Sequence, residues 1–219
     1  MIRIILLLIW LSLISMMPMV SAAEEGDFEG IVRHLQEQLR CDYQTAKSVV
    51  LMIDDFTQGI QGSLSAIAST EIETSKKRGM VADTINSYFE GPDSIVQVSS
   101  RNRRNIREYR ILTYLTNLWL LSHNNGYAHV ELLFFPDYLG FGRLEQISTS
   151  HFELSVSMWQ IFKAYYGDGV LAYSDATRKK FRLNIYIYGD TVQVKTAEIL
   201  VAETIDLSSF EEKFHWETP

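Results

Sequence analysis

The feature that most constrains this chain is a change of hydrophobic period along its length. From residue 28 to residue 89 apolar side chains recur every three or four positions, whereas from residue 127 onward they recur at every second position. Phe28, Ile31, Val32, Leu35 and Leu39 mark a first helix, and Ala46, Val49, Val50, Ile53, Phe56 and Ile60 mark a second, with Asp42 placed to cap it. Gly59 and Gly62 weaken that second pattern. Residues 63–75 keep helical spacing at Leu64, Ile67 and Ile72, and residues 80–89 are helical until Gly91-Pro92-Asp93 stops them. Helices first and strands last predict an α+β domain, since an α/β chain would alternate the two.

The second half divides further. Residues 95–99 are short, β-branched and alternating, which predicts a strand, and residues 106–122 carry a helical stripe of Ile111, Leu112, Leu115, Leu118 and Trp119. Residues 127–135 predict a strand ended by Pro136-Asp137, and residues 144–147 a short edge strand. In residues 152–165 the apolar side chains move from Phe152, Leu154, Val156 and Met158 to Trp159 and Ile161 on the other side, which predicts a bulge or bend. After the turn Gly167-Asp168-Gly169, a short strand over 170–174 stops before Asp175-Ala176-Thr177. Residues 182–188 alternate cleanly, with Leu183, Ile185 and Ile187 on one face, and Gly189-Asp190 turns the chain into a strand over 191–205. There Val192 and Val194 oppose Ala197, Ile199 and Val201, again predicting a bulge. The polar, acidic tail, 208–219, holds Phe210, Phe214 and Trp216, through which it can dock.

The N-terminus reads as a secretory leader. Arg3 precedes an apolar run over residues 4–13, and Val20-Ser21-Ala22-Ala23 offers the small-x-small pattern a signal peptidase accepts, so the mature chain is expected to begin near Ala23. An uncleaved anchor is the competing reading, because residues 4–20 approach the roughly 20 apolar positions that span a bilayer. Pro18 and the small residues after it favour cleavage. The product is expected to be periplasmic or secreted, with no stable membrane insertion. The formal charge of −7 becomes −8 once Arg3 leaves with the leader, and such an acidic balance argues against a nucleic-acid partner. One cysteine, Cys41, cannot form an internal disulfide, so stability must come from packing, for which 47% hydrophobic residues suffice.

The order of a helix, the Gly91-Pro92-Asp93 turn, a strand at Ile95-Val96-Gln97-Val98-Ser99-Ser100, a second helix and then long bent strands around Ser157-Met158-Trp159-Gln160 resembles the nuclear transport factor 2-like superfamily. That superfamily has a cystatin-like α+β cone, and the resemblance is to its exported members. The resemblance covers residues 76–206 and implies N-terminal helices followed by a strongly curved antiparallel sheet. It would divide the chain into a signal peptide (1–22), an N-terminal helical extension (23–75), the cone domain (76–206) and a C-terminal tail (207–219). Members include isomerases, dehydratases, transport adaptors, immunity proteins and many exported proteins, so the fold names no reaction. Steroid-isomerase-like members pair a carboxylate base with tyrosine or acid donors inside the cone. No motif here matches theirs, and no catalytic residue is carried over.

From the residues themselves, His129 and Glu131 are the best chemical candidates. Two positions apart on a strand, they point the same way with Tyr127 and can place an imidazole beside a carboxylate, or else form the solvated side of a strand whose other side is core. His123, His129 and His151 with Glu131, Asp137 or Glu145 show no tight ligand spacing, so neither metal nor cofactor is expected. Cys41 has no nucleophile signature around it. Arg101, Arg103, Arg104, Arg107 and Arg110 form a concentrated positive patch that suits an anionic ligand or acidic partner, or a solvated helix start with Glu108 as internal partner. Lys179, Lys180 and Arg182 reinforce that patch only if the fold brings them near it. Tyr165, Tyr166, Tyr173, Tyr186 and Tyr188 enrich the C-terminal sheet in aromatics, as pocket lining or as core. Two functions remain open: a binding or protein-interaction module for a small molecule or protein partner, with the sheet face as a homodimer surface, and a small-molecule isomerase or lyase with an acid/base pair inside the cone.

Overall fold

A computed structural model describes residues 22–102, 105–189 and 191–214. Helices α1 (Ala22–Leu39), α2 (Tyr43–Ala68) and α3 (Thr74–Tyr88) come first. They are followed by β1 (Ile95–Val98), β2 (Arg107–Arg110), α4 (Ile111–Trp119), α5 (Leu121–Asn125) and β3 (His129–Asp137). A 3-10 turn (Tyr138–Gly140) then leads to β4 (Leu144–Ser148), β5 (His151–Tyr165), β6 (Leu171–Tyr188), β7 (Thr191–Ile205) and α6 (Leu207–Phe214). Residues 1–21 of the expected leader, Arg103, Arg104, Asp190 and Trp216 fall outside the described residues, as does the side chain of His123. No helix among the described residues is long and apolar enough to cross a membrane.

Asp42 caps α2 as its position suggests, its carboxylate accepting from the Thr45 N–H at 2.9 Å. Val49, Ile53, Phe56, Ile60, Leu64 and Ile67 then bury one stripe over 26 residues. The helix runs through Gly59, where the Tyr88 hydroxyl comes so close that a β-carbon would clash with it. It ends at Ala68, so the helix expected over 63–75 is divided between α2 and α3.

The strand order is β2-β1-β7-β6-β5-β3, with β4 on β5. Neighbours are antiparallel except β1 and β7, which run parallel with Ile95 opposite Glu198 and Val96 opposite Ile199. The sheet is therefore mixed where a purely antiparallel one was expected. The predicted irregularity in β7 is present, as register shifts opposite Arg178/Lys179 and Arg182/Leu183, and such shifts bend and twist a strand.

Four expectations are corrected. Residues 106–122 are not one helix: Arg107–Arg110 alternate and pair with β1, and helix α4 begins only at Ile111, whose N–H bonds to the Ser94 carbonyl at 2.8 Å. The face change in β5 is no bulge, since its register with β6 is continuous from His151 to Ala164. Apolar residues appear on both sides because the outer side has its own cover, Leu207 and Phe210 of α6 packing on Trp159 and Ile161. The strand that should have ended before Pro136 continues to Asp137, which an edge strand tolerates. Finally, the strands read over 170–174 and 182–188 are one 18-residue strand, β6.

One core joins the helices to the inner face of the sheet. Leu35 of α1, Ile53 and Ile60 of α2, Leu115 of α4, Leu154 of β5 and Phe181 and Leu183 of β6 belong to it. Phe56 and Phe134 meet the Phe181 ring edge-on at 6.5 and 6.3 Å. Packing is thus continuous across the 75/76 boundary drawn from the sequence.

Candidate functional site

Strand β6 lies inside the sheet between β5 and β7, and alternation puts Tyr173, Asp175, Thr177 and Lys179 on the same side as Phe181 and Leu183, facing the helices. Beyond Phe181 that inner face changes from apolar to polar without becoming exposed: Asp175, Thr177 and Lys179 are all buried, as is Gln160 opposite Thr177 on β5. The end of β1 and the residues after it close over this stretch.

The hydrogen bonds are directional. The Tyr173 hydroxyl donates to the Asp175 carboxylate and accepts from the Arg101 N–H at 3.0 Å, with the Ser100 hydroxyl 2.9 Å away. The Thr177 and Thr204 hydroxyls lie 3.2 Å apart. The Lys179 ammonium reaches the Gln97 carbonyl only at 3.5 Å and stands 5.8 Å from the centroid of the Tyr114 ring. The Gln160 Oε1 is buried without a hydrogen-bond partner.

Burial dominates the electrostatics. It pushes Lys179 down to about 8, with Asp175 acting weakly in the opposite direction. It also raises Asp175 above the usual carboxylate range, against the Tyr173 hydrogen bond and the charges of Lys179 and Arg101. Tyr173 is raised to about 12, first by burial and then by the Asp175 hydrogen bond. Three ionisable groups displaced toward neutrality, beside an unsatisfied amide oxygen, make this stretch the candidate site.

The residues singled out from sequence lie elsewhere. His129 and Glu131 do come together, at 3.5 Å, and the tyrosine beside them is Tyr165, whose hydroxyl donates to Glu131 at 3.3 Å, with Tyr127 instead meeting the Tyr166 ring. They occupy the outer side of β3, with the His129 side chain 63% exposed. The described arginines have separate settings. Arg101 is ion-paired with Asp206 at 2.5 Å, Arg110 with Asp93 at 3.1 Å, and Arg107 is exposed on the edge strand β2, not on a helix start. Lys179 points inward, away from that surface.

His151 bonds Asn184 at 3.2 Å and Asp137 is paired with Arg178 at 2.6 Å; no group of three possible metal ligands occurs among the described residues. Burial raises the Cys41 thiol, which opposes thiolate formation. Sequence reasoning missed Asp175, Gln160 and Tyr173 as a cluster. A signal existed: extending the alternation of Leu183 and Phe181 backward places Lys179, Thr177, Asp175 and Tyr173 on the core face.

A concavity lies on the outer side of the sheet, between α1, the end of β3 and α6, with a volume of about 670 Å³.

Among solved structures, a scytalone dehydratase-like protein from Novosphingobium aromaticivorans is similar at 10% identity and a TM-score of 0.38, over 74% of this chain and 91% of that one. The beta subunit of a ring-hydroxylating dioxygenase from the same organism matches at 12% identity and a TM-score of 0.39, over 73% and 92%. An NTF-2-like protein of unknown function from Shewanella oneidensis matches at 13% identity and a TM-score of 0.33, over 69% and 98%. No family model and no curated protein matches the sequence. The architecture of leading helices followed by a mixed sheet stands on the chain's own element and strand order.

Proposed function

We propose that this protein is an exported binding module that holds a small polar molecule against the inner face of its sheet. The observation that carries the reading is Lys179, a buried ammonium in no ion pair among the described residues, with one long hydrogen bond and the unpartnered Gln160 oxygen on the neighbouring strand. A buried cation so weakly compensated costs free energy in the empty protein and is relieved by an anionic or carbonyl oxygen. Native mass spectrometry of the purified protein tests this against Lys179→Met and Gln160→Leu. The wild type should retain a small molecule, or be thermally stabilised by small carboxylates such as acetate, pyruvate or succinate, and the variants should not. Failure of the wild type to do either sinks the reading.

A second reading, a small-molecule isomerase or lyase, is favoured by the Tyr173–Asp175 hydrogen bond beside Lys179. Lys179 is partly neutral at mildly alkaline pH and can accept a proton, while the Tyr173 hydroxyl or a protonated Asp175 can donate one. Exchange of a bound ligand's carbon-linked hydrogen for deuterium, lost in Lys179→Met, separates catalysis from binding alone. Export is part of the proposal, and N-terminal sequencing of the processed protein should begin near Ala23.

A further inference from the structure

The outer groove is chemically unlike the inner cluster. It is lined by Ile31, Phe135, Leu139, Trp159, Phe210 and Phe214, and its volume falls inside the roughly 300 to 1,000 Å³ usual for small-molecule sites. Leu139 is 77% exposed and Phe214 45% exposed, so folding leaves a contiguous apolar surface in water.

The polar groups at the groove set the sign of the charge it offers. The Asp137 carboxylate is neutralised by Arg178 at 2.6 Å, and the Tyr138 hydroxyl donates to Asp54 at 2.5 Å. The Lys213 ammonium stands 5.6 Å from the Trp159 ring centroid and 5.3 Å from that of Phe214, in no ion pair among the described residues, and the His34 imidazole is the other basic group. An apolar trough with the Lys213 ammonium at its edge and an imidazole in its wall, on a chain of net charge −7, is complementary to one class of molecule. We propose that this groove binds an amphipathic carboxylate, its hydrocarbon body on the aromatic rings and its head group at Lys213 and His34. The site is separate from the one around Lys179, and either can fail without the other.

The test compares dodecanoate with dodecanol on the purified protein, by titration calorimetry below the concentrations at which either aggregates. Dodecanoate should bind roughly fivefold more tightly than dodecanol, the scale of a partly exposed ion pair. Lys213→Gln should erase that preference while leaving dodecanol binding and thermal stability unchanged. Leu139→Asp, at an exposed position, should weaken dodecanoate by about tenfold or more through repulsion and lost contact. Lys179→Met should leave dodecanoate binding intact. Absence of binding, equal binding of both probes, or loss of dodecanoate in Lys179→Met but not in Leu139→Asp overturns the proposal. So does a concentration-dependent dimer that Leu139→Asp abolishes, which would make a second copy of the chain the occupant.

Discussion

Lys179 and Tyr114 are in cation–π contact across the interior, the ammonium 5.8 Å from the ring centroid, on an inner face where the remainder of β6 toward the turn is hydrocarbon. A lysine so placed is displaced downward from 10.5 to about 8 because its charged form has lost water.

The pH dependence follows from the sign of that displacement. A base whose folded value lies below its unfolded one destabilises the fold wherever it must be charged, so the penalty is full below about 8 and vanishes above 10.5. The stability difference between wild type and Lys179→Met should shift by about 2 to 3 kcal/mol in favour of the wild type as pH rises from 7 to 10. Near neutrality the methionine variant should be the more stable. Urea unfolding of both proteins at each pH checks this, and a difference independent of pH would falsify the buried charge.

Ile185 should behave as an ordinary core residue. It is buried on the inner face of β6 beside Leu183, and Ile185→Ala should cost about 2 to 4 kcal/mol. Loss of less than about 1 kcal/mol in denaturant unfolding would contradict the face assigned here.

Gly59 should resist a substitution that usually helps a helix. Alanine gains roughly 0.5 to 1 kcal/mol over glycine in a helix interior, but here its methyl would meet the Tyr88 ring, which packs edge-on against Phe56 at 5.9 Å. Gly59→Ala should therefore destabilise by about 1 to 3 kcal/mol. Adding Tyr88→Phe, which removes the closest atom, should recover most of the loss in thermal unfolding.

Phe210 should hold α6 against the sheet. Its ring lies 5.1 Å from Trp159 in a satellite core with Leu207 and Ile161. Phe210→Ala should cost about 3 kcal/mol and shift tryptophan emission to the red as Trp159 meets water. Unchanged emission would mean that α6 contributes nothing to covering that face.

Much of this architecture could be read from periodicity, and the places where the reading failed share a cause. Alternation at Leu183 and Ile185 found the inner face of β6, with Ile187 half-buried beyond the core, and Asp42 found the start of α2. The same strand was broken at Asp175-Ala176-Thr177 because polar residues there suggested a connection, when they are the buried polar part of one long strand. The candidate site was thus hidden by the property that makes it a candidate. His129 and Glu131 were visible because adjacent polar residues on an amphipathic strand are conspicuous, and their conspicuousness reflects solvent exposure. Trp159 and Ile161 suggested a bulge because no local pattern reveals that α6, some fifty positions later, returns to cover them.

The parallel pairing of β1 with β7 has a consequence for how the chain is made. The Val201 N–H donates to the Gln97 side chain at 3.2 Å, and these residues are 104 positions apart. β1 therefore has only the short β2 as a partner until the last strand of the sheet exists, and sheet closure waits on almost the whole polypeptide. Contacts so distant in sequence slow folding, because loop closure must come before the contacts that stabilise it. A nascent chain still lacking β7 presents an unfinished sheet edge, so synthesis and folding are separated in time by topology.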